Sequence, residues 1–539
     1  MSKTFEVEGQ YFTNPILPGF YPDPSICRVE EDYYLVTSTF VYFPGIPVFH
    51  SKDLVHWEQI AHVLDRPSQL DLDDLGHSRG IFAPTIRYYN GIFYVITTNV
   101  DKGDNFIVTA TNPAGPWSEP AWLANAPGID PSLFFDIDGK AYYVGTRPVS
   151  EGPKYFGNWE VWLQEIDLKK MSLTGEVFSL WRGALRDAIW PEGPHLYYKD
   201  NWYYLMISEG GTDYHHAITI ARSKAITGPY KGNPGNPILT HRHLGRKYPI
   251  QNVGHGDLVE TPNGEWWMVA LGSRPYGGYF RNLGRETFLV PVIWEDGWPV
   301  VSPGNGRLEL TYPKPSLPAC SVQVLPGRDD FNTDKLLLNW IFLRTPRDRF
   351  WSLKDRPGYL RLKLRPEMMT EEKNPSFVGR RQQHIHFIAK TVMEFKPLTE
   401  NETAGMVLIQ NNQYQYRMEC TLRNEKKIIR LIKCCAGIAE EIAVQPIKAG
   451  NIYMKIVGRG QAYSFYFGLS ETIDQILAEK MDGRILSTDL AGGFVGTCLG
   501  IFASSNGEVS TNYSDFDWFE YQADEPQSNK LFASKEESS

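Results

Sequence analysis

The chain has 539 residues and a formal net charge of −9 at pH 7, and it is rich in Trp, Tyr, Phe, Gly and Pro. This length exceeds what one ordinary core supports, so we expect two domains, built from short strands and turns. The modest acidic charge argues against nucleic acid as a partner, and no apolar run is long enough to span a bilayer.

The N-terminal segment "MSKTFEVEGQ" has no apolar signal-peptide core. The six cysteines show neither metal-ligand spacing nor the pattern of a disulfide framework: they are Cys27, Cys320, Cys420, Cys434, Cys435 and Cys498. These features predict a cytoplasmic protein. The sequence leaves the oligomeric state open, a homo-oligomer included.

The first distinctive motif is "GFYPDPSI", which places one carboxylate, Asp23, between Pro22 and Pro24. Proline fixes its own φ and restricts the residue before it, so Asp23 is held stiffly. The surrounding residues are aromatic and apolar, although an aspartate normally prefers water. The position of Asp23 therefore calls for a functional explanation.

Five segments of the first 312 residues share one pattern: a short apolar strand, a turn with Asn, Asp or Gly, and an aromatic strand. They are "YPDPSICRVEEDYYLVTS", "FAPTIRYYNGIFYVIT", "IDPSLFFDIDGKAYYVG", "PEGPHLYYKDNWYYLMIS" and "GHGDLVETPNGEWWMVA". Each segment is typical of a β-hairpin. The segments begin roughly 45 to 65 residues apart, which leaves room for two further strands in each interval. We predict an all-β fold that begins with a five-bladed β-propeller over residues 10–312. An irregular β-sandwich is the alternative, but it does not account for five similar hairpins.

Aligning the five copies brings polar residues to equivalent positions. The first apolar strand residues of the five copies are Ile26, Ile86, Leu133, Leu196 and Leu258. The residues three positions earlier are, in the same order, Asp23, Ala83, Asp130, Gly193 and His255. Glu192 immediately precedes Gly193. The innermost strand of each blade lines the channel of a propeller, so these positions should converge at one mouth of the axis.

Three carboxylates at one mouth repel one another, which raises the pKa of at least one of them. Any one acid alone is better explained as a turn cap or an arginine partner, but three at matched positions favour an active site. Two carboxyls, one protonated and one ionised, are the groups that glycoside hydrolysis requires, and aromatic walls suit a sugar. A divalent metal held by these acids and His255 is the rival interpretation, although no compact motif such as HExxH supports it.

The motifs "NPILPGFYPDPSI", "GIDPSLFFD", "WPEGPHLY", "VGHGDLV" and "NLGRETFLVPV" resemble, in order and spacing, the hallmarks of glycoside hydrolase family 43. The resemblance covers about residues 10–522 and is closest to the β-xylosidase branch with a C-terminal β-sandwich. It implies that Asp23 is the general base, that Glu192 is the general acid, and that Asp130 raises the pKa of Glu192 and orients it. It also implies inversion, which needs the working carboxyls roughly 6.5–9.5 Å apart.

The resemblance extends to substrate-binding residues. Arg285 matches an arginine that contacts substrate hydroxyls, and Phe40 matches an aromatic wall. His255 matches a buried histidine beneath the site, for which a core histidine is an almost equal account. Phe82 stands where β-xylosidases often carry Trp, and the segment from Arg147 to Trp162 fits the β-xylosidase pattern poorly. Both departures concern the pocket lining and so the identity of the sugar.

The second half of the chain begins with an extended, Pro-rich linker, residues 313–327. Alternating strands over residues 328–522 predict a lectin-like, jelly-roll β-sandwich, and the polar segment 523–539 is predicted to be disordered. Asp330 and Asp517 match positions near a structural calcium in relatives of the resembled family, and the sequence leaves this ion open. The chemistry itself requires no cofactor.

The sandwich could be a carbohydrate-binding module, but the resemblance implies that it closes one side of the pocket with Phe494. A closed pocket admits only a chain end. The predicted function is therefore an exo-acting, inverting β-xylosidase that releases xylose from non-reducing ends of β-1,4-xylooligosaccharides. An α-L-arabinofuranosidase is the near alternative. A non-catalytic sugar-binding propeller is a further one, which the complete set of three acids disfavours.

Overall fold

The computed structural model describes residues 10–320, 322 and 326–524. Strands dominate this part of the chain and form a propeller followed by a two-sheet sandwich, which confirms the predicted fold class. Of the segment predicted to be a disordered tail, residues 525–539 lie outside the described residues. The two helical segments described are short, a 3-10 turn at Gly483–Leu486 and an α-helical turn at Thr488–Ala491. No helix in the described ranges has the length and apolar character to cross a membrane.

The propeller has five antiparallel blades, each formed by consecutive strands. Blade 1 contains Ser25–Val29, Asp32–Val36, Gly45–Ser51 and Glu58–Leu64; blade 2 contains Gly80–Ile81, Thr85–Tyr89, Ile92–Val100, Asp104–Ala110 and Ala121–Trp122. Blade 3 contains Ile129–Phe135, Ala141–Pro148, Trp159–Asp167 and Ser172–Trp181; blade 4 contains Glu192–Lys199, Trp202–Glu209, Ala217–Ser223, Lys231–Gly232 and Leu239–Thr240. Blade 5 contains Gln251–Glu260, Trp266–Ser273, Glu286–Glu295 and Trp298–Val301.

The inner strands close into a ring. The inner strand of each blade contacts those of its neighbours, and the strand of blade 5 returns to that of blade 1. Tyr11–Thr13 pairs with Thr311–Pro313, so the two ends of the propeller are joined. Asn14 strengthens this closure, because its amide donates to the Leu289 carbonyl at 2.8 Å and accepts the Leu289 N–H at 2.9 Å.

A polar hub ties the inner strands together within the ring. The Asp257 carboxylate of blade 5 accepts hydrogen bonds from Ser25 of blade 1 (2.8 Å), Arg87 of blade 2 (2.8 Å) and Tyr197 of blade 4 (2.7 Å). Burial alone would raise the pKa of Asp257, but Arg87 and these hydrogen bonds hold it well below its ordinary value. The hub therefore fixes the strands whose first residues form the cavity described below.

The sandwich consists of two antiparallel sheets. In spatial order the first contains Trp351–Ser352, Leu360–Lys363, Tyr513–Ala523, His386–Glu394, Ile452–Arg459, Ala462–Gly468 and Gln475–Asp482, with Arg328–Asp329 also paired to Tyr513–Ala523. The second contains Ser376–Arg381, Cys498–Ser504, Thr403–Asn411, Tyr414–Arg423, Lys426–Cys435 and Ile438–Pro446. The first and last strands of the domain thus lie side by side.

The propeller and the sandwich share one interface. Tyr42–Phe43 of the propeller pairs with Phe342–Leu343 of the sandwich, and a single hydrophobic cluster continues from one into the other. Gly19 needs to be glycine here, because its φ is +87° and a Cβ would lie 2.6 Å from the Gln382 carbonyl oxygen. Packing this close makes the sandwich part of the same folded unit as the propeller loop that leads to Asp23.

Candidate active site

A cavity of about 500 Å³ opens at one mouth of the propeller axis. It is lined by the starts of the inner strands and, from the sandwich, by Thr488 and residues 492–494. The predicted catalytic and substrate-binding residues all lie on its wall: Asp23, Asp130, Glu192, Phe40, Phe82, His255, Arg285 and Phe494. Asp330 and Asp517 are not among its lining residues.

Three of these residues, which lie before or within inner strands, have an unusual backbone conformation. Asp23, Asp130 and His255 have φ values of 53°, 53° and 43°, in the left-handed region that non-glycine residues rarely adopt. The inner strands of blades 3 and 5 also have irregular register at this point. Such strained residues concentrate at functional sites, where surrounding structure holds side chains in fixed directions. Here the repeated irregularity directs the side chains into the cavity.

Asp23 is held by strong donors and is 5% exposed. Its carboxylate accepts the Ser38 hydroxyl at 2.6 Å and the Arg285 guanidinium at 2.8 Å. His255 Nδ1 lies 3.8 Å from the same carboxylate. Burial alone would raise the pKa of Asp23, but Arg285, His255 and Ser38 together hold it below its ordinary value. Asp23 is therefore ionised over the neutral range.

The pKa of Asp130 is shifted in the opposite direction to that of Asp23. Burial, repulsion from Glu192 and repulsion from Asp23 raise its pKa well above the ordinary value, and one hydrogen bond from the Gly193 N–H at 3.1 Å only partly opposes them. The like-charge argument from sequence thus applies to Asp130, whose ionised form is disfavoured by Glu192 and Asp23. The expected effect of Asp130 on the pKa of Glu192 itself stays a prediction.

Glu192 is less tightly held than Asp23. Its side chain keeps 16% of its surface exposed, and Oε1 lies 3.5 Å from Nε2 of the fully buried His216. His216 Nδ1 contacts the Asn252 carbonyl oxygen at 3.0 Å. A carbonyl only accepts hydrogen bonds, so the proton of a neutral His216 ring is on Nδ1.

Aromatic rings and Arg285 close the side of the cavity that contains Asp23. The Phe40 ring lies 5.1 Å from that of Phe82 and 6.0 Å from that of Phe494, which the sandwich contributes. The Arg285 guanidinium is 5.6 Å from both the Phe40 and Phe494 rings. The Phe494 N–H donates to Ser78 Oγ at 2.8 Å, so the loop that carries this ring is bonded to the propeller. These rings could stack on one sugar.

The side that contains Glu192 is lined by residues that the sequence analysis did not name. Trp159 and Trp190 form its wall. Phe156 packs edge-on against Trp190 at 5.0 Å and is 81% exposed. Trp190 lies two residues before Glu192 in the quoted motif "WPEGPHLY", so its location could have been inferred. Trp159 and Phe156 belong to the segment that fits the β-xylosidase pattern poorly, and no sequence signal singled them out.

The rim also contains a polar link between the two domains that sequence reasoning missed. Arg281 of the propeller donates to Asp489 on the short helix of the sandwich at 3.0 Å and to Asp213 at 2.9 Å. All three residues lie at or beside the cavity mouth, because Arg281, Asp213 and the neighbouring Thr488 line it. This link holds the sandwich in place over the cavity.

The two aspartates of the predicted calcium site, Asp330 and Asp517, both lie near Arg328. The Arg328 guanidinium donates to Asp330 at 2.7 Å. Burial raises the pKa of Asp517 against the opposing effect of Arg328, and Asp330 and Glu394 raise it further. Calcium usually takes six to eight oxygen ligands. Within the described residues no three His, Cys, Asp or Glu side chains are grouped as ligands of one ion. The calcium site stays a prediction, which thermal unfolding with added Ca²⁺ or with a chelator would check.

Comparison with known proteins gives matches over nearly the whole chain. The profile of glycosyl hydrolases family 43 matches residues 12–299, and that of the beta xylosidase C-terminal concanavalin A-like domain matches residues 328–522. A protein named xylosidase/arabinosidase from Butyrivibrio fibrisolvens is 51% identical over 516 residues, which are 94% of this chain and 98% of the relative. A non-reducing end alpha-L-arabinofuranosidase from Bacteroides ovatus is 42% identical over 95% of this chain and 94% of its own. The solved structure of a xylan beta-1,4-xylosidase from Bacillus halodurans has a TM-score of 0.89 at 37% identity, covering 95% of this chain and 100% of that one.

Proposed function

The chain belongs to glycosyl hydrolases family 43, and from that premise and the geometry of its cavity we propose that it releases xylose from the non-reducing ends of β-1,4-xylooligosaccharides with inversion. The resemblance drawn from the sequence motifs is thereby confirmed, and the protein is a glycoside hydrolase. One observation carries the proposal. The same cavity holds Asp23, whose pKa lies below its ordinary value, and a second carboxyl, Asp130, whose ionisation the neighbouring Glu192 disfavours.

In the proposed mechanism Asp23 acts as the general base and Glu192 acts as the general acid. Asp23 takes a proton from a water molecule, whose oxygen forms the new bond to the anomeric carbon. The glycosidic C–O bond breaks on the opposite face, and Glu192 gives its proton to the leaving oxygen. Atoms balance with one water consumed, and Asp23 ends the step protonated while Glu192 ends it ionised. No covalent glycosyl-enzyme is formed, so the configuration at the anomeric carbon is inverted.

The side of the cavity that contains Asp23 is enclosed in a way that supports exo action. Phe40, Phe82 and Phe494 enclose the region next to Asp23, and Arg285 offers guanidinium donors to sugar hydroxyls there. Because the sandwich contributes Phe494, a chain cannot continue past this point without displacing it. The terminal sugar therefore lies next to Asp23, and the rest of the substrate leaves past Glu192 and Trp190.

A second candidate is α-L-arabinofuranosidase activity in the same cavity. The relatives from Butyrivibrio fibrisolvens and Bacteroides ovatus carry arabinosidase or arabinofuranosidase in their names. The departures at Phe82 and in the segment from Arg147 to Trp162 alter the walls that would distinguish the two sugars. We propose both activities, with the β-xyloside as the principal substrate.

The experiment combines rates with stereochemistry. Purified protein is assayed on xylobiose, nitrophenyl β-xyloside and nitrophenyl α-L-arabinofuranoside, and proton NMR follows the first xylose released. We expect α-xylose to appear before mutarotation. Initial β-xylose would show retention, with Asp23 as a nucleophile, and inactivity on all three substrates would overturn the proposed function.

Cytoplasmic location and self-association stay predictions from the sequence. Cell fractionation with an antibody to the protein would check the first, and light scattering after size-exclusion chromatography would check the second.

A further inference from the structure

We propose that His216 is a positioning residue that keeps the general acid Glu192 protonated in the free enzyme. The inference rests on the proposed function, because it concerns the protonation of the acid in that mechanism. It starts from one contact, the 3.5 Å approach of His216 Nε2 to Glu192 Oε1. Catalytic hydrogen bonds are often long in a free enzyme and shorten only when substrate binds.

The ring orientation of His216 is fixed by its other nitrogen. Nδ1 donates to the Asn252 carbonyl at 3.0 Å, so neutral His216 presents the Nε2 lone pair to Glu192. That Nε2 atom is buried and has no hydrogen-bond partner among the described residues. Gly254 makes room for the ring, since a Cβ at that position would lie 2.1 Å from His216 Cε1. The lone pair therefore faces Glu192 Oε1, 3.5 Å away, without another hydrogen-bond partner among the described residues.

An ionised Glu192 would turn its own lone pairs toward Nε2 in a buried position, which is unfavourable. A protonated Glu192 donates its O–H to Nε2 instead. When the glycosidic oxygen arrives, rotation of the carboxyl group turns the O–H away from Nε2 and presents it to that oxygen. The partly exposed side chain leaves room for this rotation. His216 thus favours the acid form between turnovers without retaining the proton during the reaction.

Other charged groups also face Glu192. Asp130 of blade 3 repels it, and His255 of blade 5 interacts with it across the cavity floor. Burial holds the pKa of His255 below its ordinary value, although Asp23 and Glu192 act in the opposite direction. The repulsion from Asp130 acts in the same direction as the proposed effect of His216. His216 adds a lone pair whose direction is fixed by the Nδ1 contact with Asn252.

The test compares His216→Leu with wild type in the pH dependence of kcat/KM, which reports groups of the free enzyme. Without the lone pair we expect the alkaline limb for xylobiose to move to lower pH by about 0.5–1 pH unit, the size of one net hydrogen bond. The limb of kcat should move less. His216→Gln, whose amide oxygen can accept the same hydrogen bond, should restore most of the shift. If the Leu variant does not fold, His216→Met fills the same space.

His241 is a matched control. It is equally buried, its Nδ1 contacts the Ile250 carbonyl at 2.8 Å, and its Nε2 accepts the Leu308 N–H at 2.9 Å. His241→Leu should lower the unfolding temperature and leave the pH profile unchanged. A His216→Leu enzyme that is folded and active but keeps its alkaline limb, or moves it to higher pH, would overturn the inference. Wild-type inactivity on every glycoside would instead overturn the proposed function.

Discussion

The two sides of the cavity hold their carboxyls in contrasting ways. Asp23 accepts hydrogen bonds at 2.6 and 2.8 Å from Ser38 and Arg285, and the Arg285 guanidinium lies 5.6 Å from the Phe494 ring of the sandwich. Glu192 keeps part of its surface open, with His216 Nε2 3.5 Å away. Both residues lie at the start of inner strands, so the strand positions do not cause the difference. Neighbouring side chains hold one carboxyl as a fixed, ionised base and leave the other less constrained and partly exposed.

The largest expected effect comes from removing the base. Asp23→Asn keeps the shape of the side chain but cannot take a proton from water, so kcat should fall by about 10⁴-fold on every substrate. Arg285 also loses its buried anion, and breaking such a pair costs about 3 kcal/mol. We therefore expect a lower unfolding temperature as well. Steady-state kinetics and calorimetry check the two effects.

Xylose binding is the control for Asp23→Asn, because Phe40, Phe82 and Arg285 remain. A variant with substantial remaining activity would remove Asp23 from the role of base. If the variant is as stable as wild type, the ion pair between Asp23 and Arg285 contributes less to the free energy of unfolding than the predicted loss of about 3 kcal/mol.

Replacing the general acid should lower kcat unequally on the two substrates. Glu192→Gln should lower kcat on xylobiose by about 10³-fold, because a sugar hydroxyl leaves only when protonated. Nitrophenyl β-xyloside, whose leaving group is acidic, should lose about 10-fold. Since Glu192 repels Asp130 and forms no ion pair with a Lys or Arg among the described residues, the unfolding temperature should stay the same or rise. Equal losses on both substrates would assign Glu192 a structural role.

These contrasts show how far sequence reasoning reaches. The repeat alignment predicted that Asp23, Asp130, Glu192 and His255 share one mouth of the channel, because inner strands of a propeller converge there. Phe40, Phe82, Arg285 and Phe494 were named through a family resemblance. Phe494 in particular depends on how a second domain docks, which periodicity cannot reveal.

The residues that were missed lie where the repeats diverge. His216 and Arg281 lie in connections between strands, outside the repeated hairpins, and Phe156 and Trp159 belong to an atypical segment. Their positions result from tertiary packing, such as the contact of Phe156 with Trp190. The assignment of a raised pKa to Asp130 likewise required distances to Glu192, Asp23 and Gly193, which no sequence pattern contains.

The third prediction concerns the closed side of the cavity. Phe494→Ala removes a ring that packs on Phe40 and on Phe82, and it should raise KM for xylobiose about 10-fold, as expected for one lost aromatic contact. kcat should change little, since neither acid is touched. Phe494 is 36% exposed, so its loss should not unfold the sandwich.

Tyr513→Ala is the matched control, because Tyr513 is a comparably exposed sandwich aromatic that packs on Arg361 away from the cavity. It should leave KM unchanged. If Phe494→Ala also leaves KM unchanged, the sandwich does not close the base side, and the account of exo action given above is wrong.

The smallest expected effect concerns the contribution of Ser38 to the pKa of the base, Asp23. Ser38 donates to Asp23 Oδ2 at 2.6 Å, a hydrogen bond that only the ionised form accepts fully. Removing it in Ser38→Ala should raise the pKa of Asp23, so the acidic limb of kcat/KM should move to higher pH by about 0.5–1 pH unit. At neutral pH the rate should fall only a few-fold, because Arg285 still keeps Asp23 ionised.

Ser25→Ala provides the comparison for this last change. Ser25 donates to the buried Asp257 at 2.8 Å, so its loss removes the same kind of hydrogen bond from a carboxylate that does not line the cavity. Both variants should lose a similar amount of stability, about 1–3 kcal/mol for a bond to a charged group. That stability is present above the ordinary pKa of an aspartate and is lost as the pH falls through the lowered pKa of the folded state. Only Ser38→Ala should move the acidic limb. A similar shift in Ser25→Ala would mean that the limb reports the propeller hub and that Asp23 does not set it.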